Sequence, residues 1–175
     1  MRFEDHIRTL PDHPKPGILF RDVTTLMGDA KAFAAAIEAL AEMTAHLSLS
    51  HVAGMEARGF IFGGALAVRL GLGFIPLRKP GKLPWRTKFV DYELEYGLDQ
   101  LHMHEDACGE KDRVLVVDDL IATGGTAVAA VELIRANGAL VDHAAFVVDL
   151  PELGGAKRLE KLGVTPISLC AFDGH

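Results

Sequence analysis

The sequence predicts an α/β fold with a doubly wound, mostly parallel central sheet and a long lid loop. Short apolar segments alternate with helical segments through the chain, which is typical of repeated strand-helix-strand units. The run Val114 to Val117 is continuously apolar and β-branched, as in a strand buried on both faces. The length of 175 residues fits one domain. We therefore expect a single domain over residues 1–175, with the lid loop at about 79–97.

Two helices and two strands are predicted in the first half of the chain. Asp29 is placed as the N-cap of the first helix, whose apolar residues recur with a 3.6-residue period. Gly71 stands where a left-handed residue ends the second helix. The predicted elements are a helix over 30–47, a strand over 52–55, a helix over 60–70 and a strand over 74–77.

The segment from Lys79 to Gly97 is polar, is punctuated by Gly and Pro, and shows little periodicity. It is predicted as a loop, and a loop of this length inside a compact domain is usually functional, often as a lid. Gly138 is predicted to end the last helix. The remaining predicted elements are strands over 101–103, 114–117 and 144–148 and a helix over 126–137.

Charge and cysteine content limit the possible functions. The chain has 24 acidic against 18 Lys and Arg residues, a net charge of -6, so a nucleic-acid partner is not expected. Cys108 and Cys170 stand far apart without metal-ligand spacing, which suggests a reducing compartment. The N-terminal residues lack a signal-peptide pattern and no apolar run reads as a membrane span, so we expect a cytoplasmic protein without a membrane partner.

The segment VLVVDDLIATGGT, from Val114 to Thr126, carries the strongest functional signal. Gly124 and Gly125 can take backbone angles closed to other residues, so consecutive N–H groups can converge on one anion. The helix that follows adds its positive N-terminal end, and Thr123 and Thr126 add hydroxyl donors. No lysine follows the glycines, so this is not a Walker A sequence, and a monophosphate suits it better than a triphosphate.

Two acids, Asp118 and Asp119, directly precede this loop. They would repel a phosphate unless they bind another part of the ligand, and the 2′ and 3′ hydroxyls of ribose 5-phosphate are suitable donors. Neighbouring strand residues point to opposite faces, so both acids reach one ligand only if the chain leaves the strand there. The sequence predicts that the main chain of Ala122 to Thr126 holds the phosphate and that the acids hold the sugar and favour positive charge developing on it.

The motif VLVVDDLIATGGT resembles the signature of the type I phosphoribosyltransferases. Five further segments resemble the same family, in order along the chain: PKPGILFRDVT (14–24), EARGF (56–60), RKPGKLP (78–84), YELEYG (92–97) and FDGH (172–175). The resemblance implies a reaction of adenine with phosphoribosyl pyrophosphate that gives AMP and pyrophosphate in purine salvage. It also implies Mg²⁺, bound mainly through the substrate pyrophosphate rather than by a metal site of the protein, and a homodimer. Trp85 departs from the family pattern, which puts the packing of the lid in doubt.

The resemblance also implies roles for individual residues. The pyrophosphate-binding candidates are Arg58, Arg78, Lys79, Lys82 and Tyr96. Cations suit an anionic ligand, and this acidic chain places five Lys and Arg residues between positions 78 and 88. The adenine-binding candidates are Leu19, Phe20, Arg21 and Leu150. The catalytic candidates are Glu95, for proton transfer at the purine, with Asp118 and Asp119. A non-proline cis peptide is expected between Glu56 and Ala57.

Three other functions stay open at this point. One is a phosphoribosyltransferase for hypoxanthine, guanine or xanthine. Another is a non-catalytic regulator that binds phosphoribosyl pyrophosphate, which would need a basic nucleic-acid-binding element that the sequence does not offer. The third is a phosphoacceptor receiver domain, which would need separate acids on its first strand and a lysine that ends a later one.

Overall fold

A computed structural model describes residues 1–94 and 97–174. The strands in this part of the chain are β1 (Arg8–Pro11), β2 (Leu19–Asp22), β3 (His51–Met55), β4 (Gly73–Leu77), β5 (Thr87–Leu94), β6 (Gly97–His104), β7 (Val114–Ile121), β8 (His143–Asp149) and β9 (Thr165–Ala171). The α-helices are α1 (Thr24–Gly28), α2 (Ala30–Thr44), α3 (Arg58–Leu70), α4 (Gly125–Ala136) and α5 (Gly155–Lys161), and short 3-10 helices cover Phe3–His6 and Pro151–Leu153.

Five strands form a parallel sheet in the order β4-β3-β7-β8-β9. The chain first moves outward from β3 to β4 through α3, and then continues on the other side of β3 with β7, α4, β8, α5 and β9. The strand order therefore reverses between β3 and β7. The predicted doubly wound α/β fold is confirmed, and ligands in such folds bind at the carboxyl ends of the strands beside the reversal.

The sheet is covered on both faces. On one face Val116 of β7 shares a core cluster with Val131 of α4 and Leu159 of α5. On the other face Leu115 of β7 shares a second cluster with Leu40 of α2. Because successive strand residues face opposite layers, β7 needs apolar residues at every position, which explains the continuous run seen in the sequence.

Helix α2 begins as predicted and ends earlier. The Asp29 carboxylate accepts hydrogen bonds from the Lys31 N–H at 2.9 Å and the Ala32 N–H at 3.1 Å, so it caps the helix. The helix ends at Thr44 rather than at residue 47, and the Thr44 hydroxyl donates to the Leu40 carbonyl at 2.7 Å. Leu47 is still buried after the helix has ended, which is why its periodicity extended the prediction.

The prediction of a loop over residues 79–97 was wrong for Thr87–Leu94 and for Gly97, which lie in strands. Strands β5 and β6 form an antiparallel hairpin, and an isolated bridge joins Arg78 to His102 of β6. Tyr92 and Leu101 face the core with Val90 beside them, so the hairpin does alternate. Charged residues on its other face concealed the period. A lid role for this segment stays a prediction.

The sequence analysis also missed the antiparallel pair β1-β2, helices α1 and α5, and strand β9. No helix within the described ranges has the length and apolarity needed to cross a membrane.

Candidate active site

A cavity of about 180 Å³ lies at the point where the strand order reverses. One wall is Arg58, the first residue of α3, and the rest is the end of β7 and the loop that enters α4. The residues predicted for ribose 5-phosphate all line it: Asp118, Asp119, Ala122, Thr123, Gly124, Gly125 and Thr126. The position agrees with the rule for ligand sites in doubly wound sheets.

The expectation that the strand ends at the acids was wrong, because β7 continues to Ile121. Both acids still line the cavity. The pairing of β3 with β7 stops at Gly54 opposite Val117. Asp118 and Asp119 therefore lie past the last residue pair with β3, whereas β8 still pairs with β7 as far as Ile121.

The acidic pair shares one close arginine. Asp119 is 3% exposed and accepts a hydrogen bond from the Arg58 Nε. This bond is the main reason that the pKa of Arg58 is raised. Partial burial of Arg58 lowers its pKa, and the charges of Asp119, Asp118 and Asp22 raise it further. The Asp118 Oδ1 accepts from the Asp119 N–H at 2.9 Å. Burial, and then the neighbouring Asp119 carboxylate, hold the pKa of Asp118 well above its usual value.

Carbonyl contacts orient the loop of residues 122–124. The Ala122 carbonyl accepts from the Gly155 N–H at 3.0 Å, and the Thr123 carbonyl accepts from the Arg158 Nη1 at 2.9 Å. In a trans peptide the next N–H points opposite to the carbonyl. The N–H groups of Thr123 and Gly124 therefore point away from α5, and this is the arrangement that an anion-binding loop requires.

Gly124 allows α5 to approach this loop closely. Its φ is 82°, in the left-handed region, and a Cβ there would lie 2.8 Å from the Gly155 Cα. Gly155 and Arg158 thus support the loop from outside the cavity, and the sequence analysis named neither. The adjacent pair Gly154-Gly155 was the available signal, because consecutive glycines often mark a close backbone approach.

Two segments meet at the turn that contains Arg58. The turn at residues 56–58 follows β3, and Arg78 and Lys79 follow β4, the parallel neighbour of β3. The expected cis peptide between Glu56 and Ala57 is present. The Glu56 carboxylate accepts from the Lys79 N–H and lies 3.6 Å from the Arg78 Nε, so it connects the two segments.

The predicted pyrophosphate residues differ in how firmly they are held. The Lys79 ammonium contacts Tyr92 and Asp99 of the hairpin. The Arg78 Nη1 donates to the Lys82 carbonyl at 3.3 Å, whereas Lys82 itself is exposed. Among the four members that the structure describes, Arg58 lines the cavity.

The predicted adenine residues lie on two elements. Leu150 follows β8, is 8% exposed, and donates its N–H to the Ile121 carbonyl in the cavity wall at 3.0 Å. Phe20 on β2 contacts the His13 ring edge-on, with centroids 5.1 Å apart. Leu19, also on β2, lies beside Gly174 of the C-terminal segment, where an added Cβ would be 3.4 Å from the Leu19 Cδ1.

The Arg21 side chain is not brought to the cavity. Its Nη1 donates to the Thr9 hydroxyl at 2.7 Å, its Nη2 donates to the Asp173 carbonyl at 2.9 Å, and the guanidinium lies 4.4 Å from the centre of the Phe172 ring. The guanidinium thus connects β2 to β1 and to the C-terminal segment. Because the side chain is used in these contacts, only the main chain of Arg21 is available for the predicted binding of the base.

Glu95, Tyr96 and His175 lie outside the described residues, so the candidate proton-transfer group and one pyrophosphate candidate have no structural account. Trp85 is 52% exposed, with its ring centroid 6.3 Å from that of His104. In the described part of the chain, no three His, Cys, Asp or Glu side chains cluster as a metal site.

The fold and the cavity define an α/β protein with an acidic pair and a glycine loop at the point where the strand order of its sheet reverses.

Three comparisons identify its relatives. The phosphoribosyl transferase domain profile matches residues 27–167. Adenine phosphoribosyltransferase from Maricaulis maris is 58% identical over 174 residues, which cover 99% of each chain. The crystal structure of the enzyme of that name from Thermoanaerobacter pseudethanolicus superposes with a TM-score of 0.93 at 49% identity, covering 97% of this chain and 98% of that one.

A third relative was solved with ligands. Adenine phosphoribosyltransferase from Saccharomyces cerevisiae, complexed with an imino-altritol bisphosphate and adenine, has a TM-score of 0.88 at 36% identity and covers 95% of this chain and 96% of its own. The chain therefore belongs to the phosphoribosyltransferase family, as its motifs predicted. Within that family, these relatives are all named adenine phosphoribosyltransferases.

Proposed function

We propose that this enzyme transfers the 5-phosphoribosyl group from phosphoribosyl pyrophosphate to adenine, giving AMP and pyrophosphate in purine salvage. The observation that carries the proposal is the cavity at the β3-β7 reversal, which combines a glycine loop, two carboxylates and an arginine in one site. The 58% identity to a full-length adenine phosphoribosyltransferase supports the choice of base, as does the adenine in the yeast complex.

In this proposal the 5-phosphate binds the main chain of Ala122 to Thr126 at the start of α4. The carbonyl contacts of the loop support this, because they direct consecutive N–H groups away from α5, and the helix terminus adds positive potential. The Thr123 and Thr126 side chains supply further donors. Gly124 and Gly125 allow the close approach.

Asp118 and Asp119 bind the ribose hydroxyls and stabilise the transition state. As the bond from C1′ to the pyrophosphate oxygen breaks and the bond from C1′ to the purine N9 forms, positive charge develops on the sugar ring. Fixed carboxylates beside the ring favour that charge more than they favour the neutral ground state. The Arg58 Nε donates to one oxygen of Asp119, which orients the carboxylate without occupying both of its oxygens.

Cations bind the leaving pyrophosphate. Arg58, Arg78, Lys79 and Lys82 are the candidates, together with Tyr96, and the first three belong to segments that Glu56 holds together. The arrangement fits because neighbouring parallel strands β3 and β4 deliver these segments to one edge of the sheet.

Leu19, Phe20, Arg21 and Leu150 are proposed to hold adenine, with apolar side chains against its faces and main-chain groups at its edge. Leu150 has the strongest support, since it bonds to the cavity wall. Glu95 is proposed to take the proton that N9 loses when it attacks C1′.

Mg²⁺ is the proposed cofactor, held mainly through the oxygens of phosphoribosyl pyrophosphate. The acidic pair fits a divalent cation, because Asp118 and Asp119 place two carboxylates at one cavity with Arg58 as their close counter-charge. When bound, the ion would neutralise charge on the leaving pyrophosphate.

We also propose that the enzyme is a cytoplasmic homodimer. Free thiols at Cys108 and Cys170 fit a reducing compartment. Ile61 and Val68 are 44% and 83% exposed and lie seven residues apart on one face of α3, where a second copy could cover them. Sedimentation of the wild type as a dimer and of Val68→Glu as a folded monomer would support this interface, whereas a monomeric wild type would reject it.

A base-by-base activity panel tests the reaction. We expect pyrophosphate release that requires adenine, phosphoribosyl pyrophosphate and Mg²⁺ together. Comparable turnover with hypoxanthine or guanine would reject the adenine assignment. Binding of phosphoribosyl pyrophosphate without turnover on any base would favour the regulator.

A further inference from the structure

The side chain of Lys79 makes several contacts with the hairpin β5-β6, and its proposed contact with pyrophosphate does not explain them. Its ammonium donates to the Asp99 carboxylate and to the Tyr92 hydroxyl, and it lies 5.0 Å from the centre of the Tyr92 ring. The ammonium is therefore held by a carboxylate, a phenol and an aromatic face. Most surface lysines have no such set of partners.

The two hairpin partners are themselves fixed. Tyr92 on β5 is 7% exposed and stands opposite Asp99 on β6 in the strand register. The Asp99 Oδ1 accepts from the Gln100 N–H at 2.8 Å, which leaves Oδ2 for the ammonium. The hairpin also bonds to the main chain of Arg78 through His102, so the segment that carries the lysine is hydrogen-bonded to the strands that carry its partners.

An ammonium has three N–H donors. Asp99 and Tyr92 take two of them, which leaves the third for a phosphate oxygen. The main chain of Lys79 is oriented independently by Glu56, which precedes the Arg58 turn. Both ends of the lysine are thus held with respect to the cavity.

We infer that Asp99, assisted by Tyr92, is a positioning residue that holds the Lys79 ammonium ready to bind the pyrophosphate group of phosphoribosyl pyrophosphate. This inference rests on the proposed function. Pre-ordering saves the entropy that a free lysine would lose on binding, and the gain appears as affinity for the diphosphate rather than as a faster chemical step.

The ionisation of the pair agrees with this role. Partial burial by itself lowers the pKa of Lys79, but the hydrogen bonds to Asp99 and Tyr92 outweigh it and leave the pKa raised. The bond to Lys79 is the main reason that the pKa of Asp99 is lowered. The lysine stays charged, as a pyrophosphate contact requires.

A double-mutant cycle with Lys79→Met and Asp99→Asn tests the inference. We expect each single variant to raise KM for phosphoribosyl pyrophosphate about tenfold, with kcat and KM for adenine changed less than threefold, a loss of about 1.4 kcal/mol in binding. If Asp99 acts through Lys79, the double variant matches Lys79→Met alone.

The matched control is Asp91→Asn. Asp91 is an exposed acid of the same hairpin that accepts from the Gln100 side chain at 2.9 Å, and the variant should behave as wild type. Asp99→Glu should restore part of the affinity.

The outcomes separate the inference from the function on which it rests. Independent, multiplying effects of the two substitutions would overturn the inference, as would an Asp99→Asn variant that matches Asp91→Asn. An equal loss for adenine and for phosphoribosyl pyrophosphate would reduce Asp99 to a structural role. If the wild type forms no AMP, the proposed function fails first, and the inference fails with it.

Discussion

The two proposed anion-binding sides of the candidate site are built in opposite ways. On the proposed phosphate side, consecutive residues from Asp118 to Thr126 line the cavity, and main-chain groups are the proposed donors. On the proposed pyrophosphate side, segments that follow β3 and β4 contact each other and the hairpin β5-β6, and side-chain cations are the proposed donors. A main-chain site depends on backbone shape, whereas a side-chain site depends on the carboxylates that hold each cation.

The largest expected effect is that of Asp119→Asn on turnover. The substitution removes a charge that favours the transition state but keeps an acceptor for Arg58, so we expect kcat to fall about 10²- to 10³-fold. Steady-state kinetics measures the loss, and an unchanged circular dichroism spectrum and melting temperature serve as the control. Wild-type rates would remove the acidic pair from the mechanism.

Gly124→Ala tests whether backbone shape controls the phosphate side. An alanine at φ 82° is strained, and its Cβ would stand 2.8 Å from the Gly155 Cα, so we expect stability to fall by about 2–3 kcal/mol and ribose 5-phosphate affinity to fall with it. Chemical denaturation and ligand titration measure the two effects. Gly71→Ala is the matched control, since Gly71 has φ 70° with nothing within 4 Å of the added Cβ. Equal losses in the two variants would show that the contact with α5 is unimportant.

Asp118→Asn should stabilise the fold while it impairs turnover. The pKa of Asp118 is raised in the folded protein by burial and then by Asp119, so folding favours its protonated form. The stability that this group contributes is present at acid pH and is lost as pH rises from about 4 through the raised pKa. Asparagine avoids the loss and still accepts from the Asp119 N–H. We expect a gain in stability at pH 8 and little difference near pH 4, measured by thermal unfolding at the two pH values. A gain that does not depend on pH would contradict this explanation.

The smallest effect is expected for Arg158→Gln. The variant loses a hydrogen bond that orients the Thr123 carbonyl, and KM for phosphoribosyl pyrophosphate should rise about threefold. Arg135→Gln is a suitable comparison, because Arg135 also donates to carbonyl oxygens, those of Leu162 and Val141, away from the cavity. If both variants raise KM equally, the effect is one of general stability.

The contrast between the two sides also explains which parts of the candidate site could be predicted from the sequence. The phosphate side was predictable, because strand, acids, glycines and helix are contiguous and each has a local signature. The continuous apolar run at Val114 to Val117 and the Asp29 cap were confirmed for the same reason. Even here β7 runs to Ile121, because it pairs with β8 as far as that residue, a fact of strand register that local sequence does not contain.

The support of the site was not predictable in this way. Glu56, Asp99 and Arg158 act on residues 23, 20 and 35 positions away in sequence, so no local pattern marks them. The hairpin was missed because the alternation of Val90 and Tyr92 lies among charged residues. Family resemblance identified the cations but not the carboxylates that hold them.

The contact between Arg21 and Asp173 has a consequence for biosynthesis. The two residues are 152 positions apart in sequence. During synthesis, the hydrogen bond from the Arg21 guanidinium to the Asp173 carbonyl therefore forms only after the residues between them have been made. The phosphate loop and its strand emerge well before that. A nascent chain arrested before residue 172 would therefore carry the strand and glycine loop of the cavity but lack the contact that ties β2 to the C-terminal segment.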